Sequence, residues 1–145
     1  MEVQLRSAVP EDRPWLFQLH EDAHRDLVEQ AYGPWDVEQQ LQFFQPLMED
    51  HAVFIVELGG SPVGAVYLGS RDNDLWLELI EVVPGLQGQG IGSAALGWVV
   101  TRAREEGRGT RLQVHKLNTR AHQLYEREGF TRADETTTHH LLRHQ

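Results

Sequence analysis

Cysteine is missing from the 145-residue chain, and its absence removes several kinds of chemistry. Disulfides, thiolate metal sites and a covalent cysteine intermediate are excluded. Long apolar runs are missing too, because no stretch approaches the ~20 apolar residues of a membrane-spanning helix. The first residues, MEVQLRSAVPEDRPW, lack the basic-then-apolar pattern of a signal peptide. We therefore expect a cytoplasmic protein with no membrane partner.

Basic residues are the minority among the charged ones, with 13 Lys and Arg against 22 Asp and Glu. The formal net charge of −9 argues against a nucleic-acid partner, since neutralising phosphates needs a basic face. The same charge suits cationic partners or substrates, and it also serves solubility alone. The length is that of one compact domain, spanning residues 1–145.

The eight histidines do not show the spacing of a metal site. His139 and His140 are adjacent, so in a strand they would face opposite sides. His20 and His24 are four residues apart on a predicted helix, but no acidic ligand follows in the pattern of zinc proteases. The sequence therefore predicts no metal centre.

The order of apolar patterns predicts an α/β (α+β) fold with elements in the order βααβββαβαββ. Helical spacing of Leu16, Leu19 and Ala23 indicates the first helix, and Gly59-Gly60 indicates a hairpin. We expect a mixed, largely antiparallel sheet flanked by helices. The last strand, TTTHHLLRH, offers an edge that could pair with a second copy, so a homodimer is one expectation.

A glycine-rich segment, VPGLQGQGIGSAALGW, follows the strand LWLELIEVVP and leads into a helix. The first N–H groups of a helix lack internal partners and lie at the positive end of its dipole, and glycine lets a phosphate approach them. A P-loop would need a Lys that GQGIGSAA lacks, and a dinucleotide fingerprint fails because Ser93 replaces its third glycine. The alternative is a tight turn without a ligand.

Two segments together resemble the GNAT superfamily of N-acetyltransferases. QGQGIG is similar to that family's acyl-CoA loop, and LQVHKLNTRAHQLYEREGF is similar to its strand, Asn and Tyr-bearing helix that ends in Gly-Phe. The element order agrees with the family's fold, so the resemblance covers essentially the whole chain. It implies acetyl-CoA as the acyl-donor cosubstrate and an amine as the acceptor.

The resemblance also implies which residues contact the cosubstrate. The pyrophosphate would lie on the loop amides, and the pantetheine arm would pair with the end of the fourth strand, where the fourth and fifth strands separate. Asn118 would contact the cosubstrate or only cap its helix. The residues so implied are Val82, Val83, Gln87, Gly88, Gln89, Gly90, Ile91, Gly92, Ser93 and Asn118.

Three residues are candidates for proton transfer. By the family resemblance, Tyr125 is the general acid for the departing thiolate, although helical spacing alone would make it a core aromatic. Glu81 and Glu78 are candidate bases, acting directly or through water. Ideal alternation places these two on opposite faces unless a bulge intervenes, and we prefer Glu81, which is closer to the expected thioester. Otherwise both are ordinary sheet carboxylates.

The segment between the first two helices would wall the acceptor pocket in the family. Here it carries Glu29, Tyr32 and Trp35, which could hold a cationic amine, or form only a surface loop. The function so implied is acetyl transfer from acetyl-CoA to a primary amine of a cationic small molecule or peptide, by direct attack in a ternary complex. A non-catalytic acyl-CoA-binding sensor on the same fold is the alternative.

Overall fold

The structure, a computed structural model, describes residues 2–145 and confirms the predicted order of elements. Short 3₁₀ turns precede α1 and follow β4. The elements are β1 (Gln4–Ser7), α1 (Arg13–Tyr32), α2 (Val37–Asp50), β2 (Ala52–Leu58), β3 (Ser61–Arg71), β4 (Asp74–Val82), α3 (Ile91–Glu105), β5 (Thr110–His115), α4 (Thr119–Arg127), β6 (Thr131–Glu135) and β7 (His139–His144).

All seven strands form one sheet in the order β1-β2-β3-β4-β5-β7-β6. Every neighbouring pair is antiparallel except β4 and β5, which confirms the mixed, largely antiparallel prediction. The prediction that the last strand is an edge is wrong: β7 runs back between β5 and β6, so β6 is the edge on that side. The expected route to a homodimer through β7 therefore does not exist.

The sheet separates two apolar clusters. On one face α1 and α2 bury Leu16, Leu19 and Phe44 against β2 and β3. On the other face α3 and α4 bury Val99 and Tyr125 against the sheet. Among residues 2–145, each helix is too short or too polar to cross a bilayer.

A β-bulge in β4 changes which face its side chains point to. Leu77 pairs with Leu68 and Leu79 with Tyr67, so Glu78 is the extra residue. Before the bulge Leu77 packs on the α3 side, and after it Leu79 packs on the α1–α2 side. The bulge thereby turns Glu78 and Glu81 towards the same face, the exception that the alternation argument had left open.

Strands β4 and β5 pair only at their beginnings. The parallel ladder runs from Leu75 opposite Thr110 to Leu77 opposite Leu112. Beyond Leu77 the two strands separate, and α3 and α4 begin from their far ends. The opening between these strand ends is where the cavity lies.

Candidate active site

A cavity of about 520 Å³ lies between the end of β4, the glycine-rich loop and α4. Its walls bring together residues that are far apart in the sequence. Most of the predicted site is present, namely Glu81, Val82, Gln87, Gly88, Gly90, Gly92, Ser93, Asn118 and Tyr125.

The glycines of the loop lie where the sequence predicts a phosphate-binding turn, and Gly88, Gly90 and Gly92 line the cavity. Gly88 and Gly90 have φ of 80° and 87°, values that only glycine adopts at little cost. Gly90 is the N-cap of α3 and has no side chain to occupy the first amides of the helix. The Arg120 guanidinium lies beside Gly88 and also lines the cavity. The loop therefore has a cation beside it although the chain is acidic.

At the end of β4, the backbone N–H of Val83 pairs with β3, whereas the backbone of Val82 faces the opening between β4 and β5. The N–H of Val83 donates to the carbonyl of Val63 at 2.9 Å, and the Val83 carbonyl accepts from the Leu86 N–H at 2.8 Å, so the contact of Val83 with the cosubstrate stays a prediction. Alternation along a strand turns the N–H and C=O of Val82 towards the opening instead. There the Gln87 side chain donates to the Val82 carbonyl at 3.4 Å.

Four other residues that were predicted to contact the cosubstrate differ in where their side chains lie. The Ile91 side chain is buried in the core, which leaves only its amide for a ligand, and Gln89 is exposed outside the cavity lining. Ser93 Oγ donates to Glu128 at 3.3 Å. Asn118 Oδ1 accepts from the Ala121 N–H at 3.3 Å, so it caps α4 while also lining the cavity.

Tyr125 is both a core aromatic and a cavity residue. Its ring packs on Phe130 with centroids 5.8 Å apart, and only 7% of the residue is exposed. Burial raises the pKa of the Tyr125 hydroxyl above its ordinary value. The hydroxyl therefore stays protonated across physiological pH and can serve as a proton donor.

Glu81 lines the cavity but is 2% exposed and holds two imidazoles. His20 Nδ1 lies 2.8 Å and His24 Nδ1 2.6 Å from the same oxygen, Oε2. Burial alone would raise the pKa of Glu81, but the charge of His24 and the hydrogen bond with His20 outweigh it and lower the pKa to about 2. The carboxylate is therefore ionised at neutral pH.

Glu78 does not reach the cavity. It accepts a hydrogen bond from Trp76 Nε1, and His51 Nε2 lies 3.8 Å from its carboxylate. Both candidate carboxylates thus face α1 and α2, but only Glu81 lies where the cavity opens.

The two helical histidines and Glu81 form a cluster that sequence reasoning missed. Their donor atoms lie within 4.8 Å of one another, a set that could hold a metal ion. The i,i+4 histidine spacing was visible, but the carboxylate is 61 residues from His20 along the chain and becomes a neighbour only through the packing of α1 on β4. Sequence spacing alone carries no signal for that contact.

The predicted acceptor-side residues surround the end of α1. Glu29 lies 3.5 Å from Arg25 and accepts from the backbone N–H of Trp35. The Trp35 ring lies 5.9 Å from the His20 ring, which connects this segment to the histidine cluster. Tyr32 is 67% exposed and packs edge-on against His115 of β5. These residues are outside the cavity lining.

Comparison with known proteins agrees with this architecture. The model of the acetyltransferase (GNAT) family matches residues 17–130. A PaiA N-acetyltransferase from Thermoplasma acidophilum, solved in complex with coenzyme A, superposes with a TM-score of 0.83 at 16% identity, over 100% of this chain and 99% of its own.

Two further solved structures show the same fold. An acetyltransferase from Thermus thermophilus has a TM-score of 0.78 at 21% identity, over 99% of this chain and 96% of its own. The ribosomal-protein-S18-alanine N-acetyltransferase from Escherichia coli has a TM-score of 0.73 at 23% identity, over 98% and 92%. Among the curated proteins, none matches the sequence.

Proposed function

Because the chain belongs to the acetyltransferase (GNAT) family, we propose that it transfers an acetyl group from acetyl-CoA to a primary amine. The observation that carries the proposal is that residues of the glycine-rich loop, the end of β4 and Tyr125 all line one cavity. Together they provide a phosphate-binding element for the pyrophosphate, a strand edge for the pantetheine arm and a proton donor for the departing sulfur.

The residues present fit acetyl-CoA along its length. Its pyrophosphate would accept hydrogen bonds from the amides at Gly88, Gly90 and Gly92 and meet the charge of Arg120. The pantetheine arm would take the N–H and C=O of Val82 in the opening between β4 and β5, as an added strand does.

The chemistry follows from the groups at the inner end of the cavity. The amine nitrogen attacks the thioester carbonyl carbon, a C–N bond forms, and the C–S bond breaks. The Val82 N–H would stabilise the charge that develops on the carbonyl oxygen, and Tyr125 would protonate the departing sulfur. With no cysteine in the chain, a thiol-bound acetyl intermediate is excluded, so attack is direct in a ternary complex.

The acceptor in this proposal is a cationic amine on a small molecule or a peptide. The buried Glu81 carboxylate is the negative charge nearest to the reacting end of the cavity. Glu29, Tyr32 and Trp35 lie at and just after the end of α1, with Trp35 against His20, and would select among acceptors by charge and by cation–π contact. The fold itself does not choose the acceptor.

Ligand binding and turnover test the proposal in two steps. Acetyl-CoA and CoA at a hundred times their dissociation constants should each stabilise the fold by ~2.7 kcal/mol in a denaturation assay, whereas ATP and NADH should not. A panel of polyamines, aminoglycosides and peptides with free N-termini, followed by thiol release, should then reveal an acceptor. Binding without turnover of any amine would favour the acyl-CoA sensor, and no stabilisation by CoA would exclude both.

Replacing Arg120 by glutamine is expected to weaken CoA binding about five- to tenfold and to reduce its salt dependence, because a charged contact to phosphate is lost. Lys116→Gln is the matched control. Lys116 is two residues from the cap of α4 but pairs with Glu135 at 2.6 Å and lies outside the cavity lining. Titration calorimetry at two salt concentrations measures both variants. Equal effects would show that general surface charge, not the loop site, attracts CoA.

A further inference from the structure

His20 and His24 share one carboxylate oxygen but differ in what else they reach. The His20 side chain is 4% exposed and enclosed by the rings of Trp35, Phe43 and Phe44. Its Nε2 lies 3.4 Å from Gln40 Oε1, so both of its nitrogens have protein neighbours. His20 is therefore closed off from the cavity.

His24 has the opposite arrangement. Its side chain is 19% exposed and lines the cavity, while its Nδ1 is buried in an ion-pair contact 2.6 Å from Glu81 Oε2, outside hydrogen-bond geometry. Since Nδ1 is buried, the exposed part of the ring is the part that carries Nε2. The imidazole thus spans the distance from a buried carboxylate to the space where the amine would react.

We propose that His24 accepts the proton of the acceptor amine through Nε2, with Glu81 as the positioning residue that holds its Nδ1. This inference rests on the proposed acetyl transfer. A carboxylate on one imidazole nitrogen fixes the tautomer and ring orientation and stabilises the imidazolium that forms. Glu81, the base expected from the sequence, then acts through His24.

The proton balance is complete with the groups present. The acceptor enters as an ammonium ion, and its first proton passes to His24 Nε2 and later to solvent. The nitrogen then attacks the thioester, and the sulfur takes the proton of Tyr125 as the C–S bond breaks. Tyr125 regains a proton from the nitrogen, which yields the amide, CoA thiol and one proton in solution.

The charges around His24 favour this assignment. Burial, the largest effect, would lower the pKa of His24, but the charge of Glu81 and its contact with the imidazole together outweigh burial and raise the pKa. The other titratable groups that face it are His20 on α1, Tyr67 on β3, and Tyr125 and Arg127 across the cavity on α4. Burial and the Glu81 charge raise the pKa of Tyr67, which keeps that hydroxyl neutral.

The contact distances are those of directly paired side chains and not of two ligands on one metal ion. The two N···O separations, 2.8 and 2.6 Å, are direct contacts. Two ligands on a tetrahedral zinc ion, each bound at 2.0–2.1 Å, lie roughly 3.3 Å apart. As it stands, the cluster is too tight to surround such an ion.

Three histidine variants test the proposal by acetyl transfer at several pH values. His24→Gln should lower kcat at least tenfold and remove the rise of activity with pH, with the KM for acetyl-CoA unchanged. His20→Gln touches the same carboxylate and should retain that rise. His51→Gln, from the pair with Glu78 outside the cavity, is the matched control and should behave as the parent protein. Added imidazole should restore activity to His24→Ala.

Several results would overturn the assignment. They are a pH profile that His24→Gln does not change, equal losses in His20→Gln and His24→Gln, no rescue of His24→Ala by imidazole, or activity that a chelator removes and zinc restores.

If the parent protein acetylates no amine, the proposed function fails, and NMR still tests the pairing of His24 with Glu81. The His24 imidazole should titrate at a lower pH in Glu81→Gln than in the parent, because the carboxylate charge that raises its pKa is gone, and an unchanged midpoint would refute the pairing.

Discussion

A Tyr125→Phe variant is expected to transfer acetyl groups about 10²- to 10³-fold more slowly than the parent protein, with unchanged affinity for CoA. The substitution removes one oxygen atom and keeps the ring that packs on Phe130. The thiolate of CoA would then have to leave without a proton, because the Tyr67 hydroxyl is on the α1–α2 face of the sheet and Ser93 Oγ donates to Glu128.

The measurement pairs single-turnover rates with CoA titration, so that chemistry and binding are read separately. A fall in kcat with constant CoA affinity supports the acid role. A kcat within twofold of the parent would refute it. Loss of CoA binding together with kcat would also refute it, because it would mean that the hydroxyl organises the cavity rather than protonates the sulfur.

The parts of the site that lie next to each other in sequence could be predicted from it. The glycine-rich loop, its strand and its helix are one continuous segment, and the Asn118 to Tyr125 helix is another. The local rule for helix starts places the Asn118 cap correctly, and the glycines before α3 line the cavity. That these two segments share a cavity followed from the family resemblance and not from spacing.

The alternation rule did not predict that the two β4 carboxylates, Glu78 and Glu81, lie on the same face of the sheet. Strict alternation separates Glu78 from Glu81, and the bulge at Glu78 brings them to one face. No turn residue or glycine marks the bulge within LWLELIEVV, because it arises from pairing with β3. The sequence favours Glu81 for its position nearer the end of the strand, and it is Glu81, and not Glu78, that lines the cavity.

The partner of the buried histidine His20 also could not be identified from the sequence. On α1 the expected apolar stripe is interrupted, since His20 is buried beside Leu16 and Leu19. A buried imidazole needs a polar partner, and Glu81 supplies one from another element. A polar residue in an apolar stripe was the available signal, and it indicates a partner without identifying it.

Replacing Asp74 by asparagine is expected to destabilise the fold by about 1–2 kcal/mol at pH 7. Asp74 stands where β4, β5 and β7 meet, and its side chain is 8% exposed. It accepts from Arg111 Nε at 2.7 Å, Arg143 Nε at 2.8 Å and the Gly109 N–H at 3.2 Å. Asparagine would direct N–H groups at cations where the carboxylate now accepts.

The size and sign of the effect follow from the pKa of Asp74. The hydrogen bonds from Arg143 and Arg111 outweigh burial and lower this pKa from 3.8 to about 2. At about 1.4 kcal/mol per unit the shift corresponds to roughly 2 kcal/mol, which solvent screening of the two arginines, each about a third exposed, reduces. A lowered pKa contributes stability that is present above the unfolded value of 3.8 and is lost as the pH falls through 2.

Asp72→Asn is the matched control, because Asp72 also pairs with Arg111, at 3.5 Å, but is 83% exposed. Its free energy of unfolding should stay within about 0.5 kcal/mol of the parent value. Urea denaturation at pH 7 and at pH 2.5 compares all three proteins. The deficit of Asp74→Asn should shrink by more than half at the lower pH, because the unfolded carboxyl is then protonated while the folded one is still mostly ionised, which cancels most of the free energy that the lowered pKa contributes. A deficit of equal size at both pH values would mean that the shape of the carboxylate, and not its charge, holds β4, β5 and β7 together.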